Sequence, residues 1–262
     1  REAVSRNPAD AWAVHAVAHV MEMQGRPEDG IGWMSEGAAR WSPGNMFAYH
    51  NWWHLALYHL ERQENARALE LYDSVIRPVR SEVALEMVDA VALLWRLHLR
   101  GVDVGARWTE LAEIYAGMAV DAYYPFNDMH AMLAFLATGR GDDARRLVTA
   151  LQQKAGEGTS STRLIRDVGL PVVTALQAFQ EADFERSARI LLEVRKRAQA
   201  FGGSHAQRDI LTLTLLEAAR RGGDQAMVRG LLNEREAEKG ASPWLLAQRG
   251  RQGAQARLAV AC

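Results

Sequence analysis

Residues 12–26 read WAVHAVAHVMEMQGR, and this stretch decides the fold. Its apolar and small residues recur at the i, i+3, i+4, i+7 spacing of one helix face: Val14, Val17, Ala18 and Met21. Gly25 interrupts the pattern, and a second amphipathic segment begins two residues later. The stretch therefore predicts a helix, a tight turn and a second helix.

The same turn recurs along the chain at a fixed distance. Successive turn positions lie 38 residues apart, at Gly25, Gln63, Gly101 and Gly139. Two further turns follow at slightly wider spacing, near Ala182-Asp183 and Gly222-Gly223. A period in the thirties is typical of a solenoid of helical hairpins.

These turns predict an all-α fold, with a first (A) and a second (B) helix in each hairpin. The expected A helices lie near residues 9–24, 45–62, 82–100, 124–138, 162–181 and 205–221. The expected B helices lie near residues 27–39, 65–77, 104–119, 141–155, 183–200 and 224–238. Small residues five positions past three of the turns permit close helix packing: Gly30, Ala68 and Ala144. We expect one right-handed α-solenoid of about six tetratricopeptide-like helix-turn-helix repeats over residues 1–262.

Composition narrows the classes of function. A formal charge of −1 from 31 basic and 32 acidic residues argues against a nucleic-acid partner, which needs a basic face. The one cysteine, Cys262, excludes an internal disulfide framework and a thiolate zinc cluster. No apolar run approaches the ~20 residues that span a bilayer. We therefore expect a cytoplasmic protein with neither a nucleic-acid nor a membrane partner.

The first residues, REAVSRNP, resemble the last turn of a B helix that runs into an Asn-Pro break. A B helix without its A helix cannot bury its apolar face, so we expect that a longer protein has been cut here.

Histidine placement is the strongest functional signal. His15 and His19 are four residues apart on the first A helix, and His50 and His54 repeat this spacing on the second. Such i, i+4 pairs project from one helix face. Relative to its own turn, His130 lies nine positions back, as His54 does, while His15 lies ten back. Asp89 and Asn127, each twelve before a turn, extend the same polar stripe.

Three interpretations of these histidines stay open. They could be packing residues among tryptophans, a polar pocket for a small molecule or peptide end, or ligands of a divalent transition metal. Two HxxxH pairs on adjacent helices offer three or four nitrogen ligands, at His15, His19, His50 and His54. The pairs lack the Glu of the HExxH zincin motif. His59 and His98 are expected to be structural.

Two further motifs carry polar groups. In Phe126-Asn127-Asp128-Met129-His130, we expect Asn127 or Asp128 to cap the fourth A helix and His130 to point into the groove.

In residues 202–209, GGSHAQRD, Ser204 and Gln207 form a predicted capping box. The remaining residues could hold a carboxylate or phosphate at the helix N-terminus: His205, Arg208 and Asp209. An ordinary surface pair of Arg208 with Asp209 is the alternative.

Four blocks in order, residues 15–26, 50–57, 127–131 and 203–209, resemble the tetratricopeptide repeat protein 38 family. The resemblance runs from about Asp10 to Pro243 and implies an all-α repeat solenoid, usually in longer chains. It brings no established catalytic mechanism, but it implies that the blocks containing histidine are family features.

Two functions follow as hypotheses. The first is a binding protein whose concave groove recognises a small polar molecule or peptide segment. The second is an enzyme, with or without a metal, in which the four N-terminal histidines bind or activate while Asp128, His130, His205 and Arg208 position the substrate.

Overall fold

The computed structural model describes residues 1–118, 122, 124–158 and 161–260. Within these residues all regular secondary structure is helical, so the predicted all-α class is confirmed. None of the described helices is long and apolar enough to cross a membrane. Cys262 lies outside the described residues.

The described residues group into two compact units, and the chain enters and leaves the second unit from the first. The first unit combines residues 1–81 with those from residue 225 onward. Its helices are α1 (Glu2–Arg6), α2 (Ala11–Met23), α3 (Pro27–Trp41), α4 (Ala48–Glu61), α5 (Asn65–Leu71), α14 (Gln225–Lys239) and α15 (Pro243–Val260). A π-helical turn, Tyr72–Ile76, extends α5.

The second unit comprises residues 82–224. Its helices are α6 (Ala84–Leu99), α7 (Arg107–Gly117), α8 (Pro125–Ala137), α9 (Gly141–Ala155), α10 (Thr162–Leu164), α11 (Leu170–Gln180), α12 (Phe184–Val194) and α13 (His205–Arg221). A π-helical turn, Ile165–Gly169, joins α10 to α11, and a 3₁₀ turn, Ala198–Phe201, follows α12.

Each predicted helix corresponds to an observed one, with ends that differ by a few residues. The predicted helix near 162–181 is continuous through the π-helical turn but changes its hydrogen-bond pattern there. The largest difference is at the predicted helix near 183–200, where α12 already ends at Val194. The spacing of apolar residues therefore located the helices correctly.

All six predicted turns share one backbone conformation. The second residue after each A helix has a positive φ: Gly25, Gln63, Gly101, Gly139, Ala182 and Gly223. In every case the next amide donates to the carbonyl five residues back, as Arg26 does to Met21 and Asp183 to Ala178. This is the Schellman arrangement, which satisfies carbonyls at a helix end and reverses the chain. The common geometry explains the regular period.

The last two helices return to the start of the chain. Within the first unit α14 packs on α2, and α15 packs on α4. Lys239 forms an ion pair with Glu22, and Arg235 forms one with Glu61. Gly25 lies so close to the Lys239 carbonyl oxygen that a Cβ there would stand 1.5 Å from it.

This return is not what a linear array of hairpins predicts, because solenoid repeats contact only their neighbours. The predicted sixth hairpin, α13 with α14, is divided between the two units, and α14 packs against α15. Nothing in the 38-residue spacing indicates this grouping. It depends on the two ion pairs and the Gly25 contact, which join residues far apart in sequence.

The turn geometry yields a first prediction. Ala182 has φ 61° and is exposed, a conformation that costs an L-residue about 1–2 kcal/mol and glycine much less. Ala182→Gly is therefore expected to raise the free energy of unfolding by about 1 kcal/mol, measured by urea denaturation.

Ala237→Gly is the matched control, because Ala237 is exposed but lies within α14. There the same change is expected to lower stability by up to about 1 kcal/mol. Equal effects of the two substitutions would contradict this account of the turn.

Candidate functional site

Helices α2 and α4 lie side by side in a register fixed by two buried hydrogen bonds. The Asn51 side chain donates to the Ala11 carbonyl at 3.0 Å, and the Tyr58 hydroxyl donates to the Ala18 carbonyl at 2.5 Å. Each bond joins residues 40 apart in sequence. The register therefore follows the repeat period closely, so equivalent positions of the two helices meet.

Small residues let the helices approach. Ala18 and Ala56 are fully buried, as is Ala68 on α5. Gly30 on α3 faces the Tyr58 ring, where a Cβ would stand 2.3 Å from the nearest ring atom. The Tyr58 side chain thus fills a space that the absence of a side chain at Gly30 leaves open. Its hydroxyl reaches the α2 backbone from that position.

Four histidines meet where α2 and α4 face each other. Their nearest ligand atoms, one from each ring, all lie within 4.8 Å of one another: His15, His19, His50 and His54. The Nε2 atom of His15 lies 3.1 Å from the Nε2 of His54 and 3.1 Å from the Nε2 of His50. The structure thus brings together the two HxxxH pairs as one cluster in the first unit.

Hydrogen bonds alone do not satisfy both short contacts of the His15 Nε2 well. A ring nitrogen carries either one proton or one lone pair, so the His15 Nε2 can form one good N–H···N bond but not two. A cation at the centre accepts all the lone pairs at once. Nitrogen ligands at about 2.0–2.1 Å from a tetrahedral ion stand roughly 3.3 Å apart, close to the two 3.1 Å separations at His15.

The cluster is closed on one side and accessible on the other. His50 and His54 on α4 are 4% and 1% exposed, whereas His15 and His19 on α2 are half-buried. Burial, and then the neighbouring His50 and His19, lower the pKa of His15 to about 3. His15 is therefore neutral at physiological pH, the state in which imidazole binds a metal.

Aromatic rings surround the cluster. The Trp53 indole is fully buried and lies parallel to the His50 ring, with 5.5 Å between centroids and 13° between planes. Phe47, at the start of α4, contacts the His15 ring edge-on at 4.9 Å. These rings give the cluster an apolar lining.

The other predicted site residues lie in the second unit. Asp89 and His130 are fully buried, and Asp89 accepts a hydrogen bond from Gln207 at 3.4 Å. The His130 Nδ1 donates to the Phe126 carbonyl at 2.7 Å, which leaves Nε2 as the acceptor nitrogen. That Nε2 has no hydrogen-bond partner among the described residues.

The expected cap on the fourth A helix is wrong. Helix α8 begins at Pro125 with Tyr124 at the N-cap and no side-chain cap bond, so Asn127 and Asp128 lie within the first turn. Both are half-buried. Because proline already lacks an N–H donor, the first turn has one group fewer to satisfy.

In the second motif, residues 202–209, the polar side chains mainly form hydrogen bonds with backbone groups. The predicted capping box of Ser204 and Gln207 is confirmed. The Arg208 guanidinium donates to the carbonyls of Gly202 and Gly203, so its charge is directed at the loop. His205 is exposed and Asp209 is half-buried.

His59 and His98, which were expected to be structural, each contact a neighbouring side chain. His59 pairs with Glu64 at 2.5 Å, and the His98 ring stacks on Trp95 at 5.0 Å.

Sequence reasoning missed Asn51 and Tyr58, which set the helix register. The signal was present, because each lies 40 residues after an alanine of the same helix face in the first hairpin. It also missed Glu22, one turn after His19, whose carboxylate pairs with Lys239. Burial, and then the Glu22 charge, raise the pKa of Tyr58, which keeps its hydroxyl a donor.

No model of a known protein family matches the chain, and a search of solved structures finds no significant match. The resemblance to the tetratricopeptide repeat protein 38 family stays a prediction.

His130 gives a prediction about pH. Burial, aided by the Arg96 charge and opposed by the Phe126 hydrogen bond, lowers its pKa from 6.5 to about 4. Between pH 6.5 and 4, His130 is therefore protonated in the unfolded chain but stays neutral in the folded chain. The free energy of unfolding should fall as the pH drops through this range. His130 contributes at most about 1.4 kcal/mol per pH unit to this loss.

His130→Leu should reduce this slope in urea unfolding series, recorded at several pH values with a chelator present. His205→Leu is the control, because an exposed ring is hydrated in folded and unfolded chains alike. Identical slopes for the wild type and His130→Leu would contradict the prediction.

Proposed function

We propose that this chain is a metalloprotein that binds one divalent first-row transition-metal ion through His15, His19, His50 and His54. The observation that carries the proposal is the convergence of four ligand atoms within 4.8 Å, with two Nε2–Nε2 separations of 3.1 Å. A shared cation would satisfy both contacts of the His15 Nε2, whereas one proton or one lone pair on that atom makes only one good hydrogen bond.

The ligand set limits the kind of ion. Imidazole suits zinc, copper, iron and nickel, whereas magnesium and calcium prefer oxygen ligands. The cluster contains neither thiolate nor carboxylate among its four members. Four neutral imidazoles leave the double positive charge of the ion uncompensated, so the site favours an anionic additional ligand.

That additional ligand would approach from the α2 side, where His15 and His19 are half-buried. An ion with four imidazoles can accept a fifth ligand there, and it would polarise that ligand as a Lewis acid. This supports the predicted metal-dependent enzyme. Asp128, His130, His205 and Arg208, expected to position the substrate, lie in the second unit.

A second candidate is a metal-free groove that recognises a small polar molecule or peptide segment. The partial exposure of His15 and His19 favours it, because both rings can reach a solute. Against it, ring nitrogens 3.1 Å apart leave no space for an organic ligand between them. Such a ligand would have to lie on the outer side of α2.

We also propose that the hairpins are tetratricopeptide-like repeats. The common Schellman turns and the buried small residues Ala18, Ala56 and Ala68 support this assignment. The balanced charge supports the expectation of a protein without a nucleic-acid partner.

Metal titration tests the main proposal. Protein freed of metal with a chelator and then dialysed should bind one equivalent of Co²⁺ or Zn²⁺, measured by calorimetry and elemental analysis. His54→Ala should weaken binding by about 100-fold or more, because it removes a buried ligand. His205→Ala, an exposed histidine of the second unit, is the matched control and should bind as the wild type does.

Equal metal affinity in the wild type and His54→Ala would refute the site. If neither binds metal while a small solute still protects His15 and His19 from chemical modification, the metal-free groove becomes the better proposal.

A further inference from the structure

An exposed tryptophan lies at the edge of the histidine cluster. The Trp12 side chain is 65% exposed, yet its indole stacks on Phe47 with 3.8 Å between centroids and 15° between planes. Phe47 itself is 8% exposed. One face of the indole is therefore held against a buried ring, and the other face is open to solvent.

Both rings also contact the cluster. The Trp12 indole meets the His15 ring edge-on at 6.2 Å, and the Phe47 ring meets it edge-on at 4.9 Å. Trp12 precedes His15 by three residues on α2, so it lies on the helix side where the cluster is accessible. The open indole face therefore lies beside the accessible side of the histidine cluster.

A large apolar side chain in this position is costly unless something covers it. Transfer of apolar surface from water is favourable, so an exposed, immobilised indole offers binding energy to a flat apolar group. The neighbouring cation would attract an anionic oxygen donor. A single molecule satisfies both features if it is aromatic and carries such a donor next to its ring.

We propose that the site selects a small planar aromatic ligand with a bidentate anionic oxygen group. Its oxygens complete the coordination of the metal held by the four histidines, and its ring packs on the open face of Trp12. This inference rests on the proposed metal site. It makes Trp12 the specificity residue, while the histidines supply the affinity for the oxygen donors.

The test compares two hydroxamates that share the metal-binding group and differ in the ring. Benzohydroxamate and acetohydroxamate are titrated into the Co²⁺-loaded full chain, and changes in the visible absorption of Co²⁺ report their binding. The wild type is expected to prefer benzohydroxamate. Trp12→Ala should reduce that preference by about tenfold, the upper range for an aromatic contact, and should leave the Co²⁺ affinity and acetohydroxamate binding unchanged.

Two further variants refine the result. Trp12→Leu keeps an apolar cover over Phe47 and should lose most of the preference if ring stacking matters. Leu246→Ala removes another exposed apolar side chain of the same unit, 58% exposed on α15, and should keep the full preference.

The two proposals fail differently. Equal affinity for both hydroxamates, or a preference that survives in Trp12→Ala, overturns the aromatic subsite while the metal site stands. A wild-type chain that binds no Co²⁺ overturns both.

Discussion

The alignment of α4 against α2 is the constraint on which the site depends. Two buried side chains of α4, Asn51 and Tyr58, donate to the Ala11 and Ala18 carbonyls of α2. A buried donor that loses its acceptor costs about 1–3 kcal/mol, so a slip of the helices would leave both donors unsatisfied. In the observed register both bonds form and the two histidine pairs lie opposite each other.

The histidine cluster brings four like side chains together at one point of the first unit. Four imidazoles fill this space less favourably than apolar side chains would, because the His15 Nε2 cannot form a good hydrogen bond with both His50 and His54. The pKa of His15 is lowered as well, because burial and the neighbouring rings both oppose its charged form. Residues that destabilise a fold yet meet at one point are typical of sites that bind something else.

The C-terminal hairpin, α14 and α15, packs on the two helices that carry the four histidines. Glu22 follows His19 by one turn and pairs with Lys239, while Glu61 at the end of α4 pairs with Arg235 and accepts a hydrogen bond from Ser242. Arg235 also lies over the Trp244 ring at 4.7 Å. Breaking a buried ion pair leaves an uncompensated charge, so these contacts resist separation of α14 and α15 from α2 and α4.

The sequence alone determined the helices, their turns and the pairing of histidines within each helix. These features depend on local periodicity: apolar spacing in α2, the positive φ that Gly25 accepts at the turn, and the four-residue step from His50 to His54. The 38-residue period also indicated that His15 and His54 occupy nearly equivalent heights.

Only the tertiary structure decided which of these equivalent positions come into contact. His15 and His54 come together through the α2–α4 register, whereas His130, at a similar height in its own hairpin, lies in the second unit. The return of α14 and α15 to the first unit rests on contacts such as Lys239 with Glu22, 217 residues apart. Periodicity indicates which side chains lie on each face of a helix. Which helices pack together depends on buried charges and close contacts between distant segments, which no local pattern encodes.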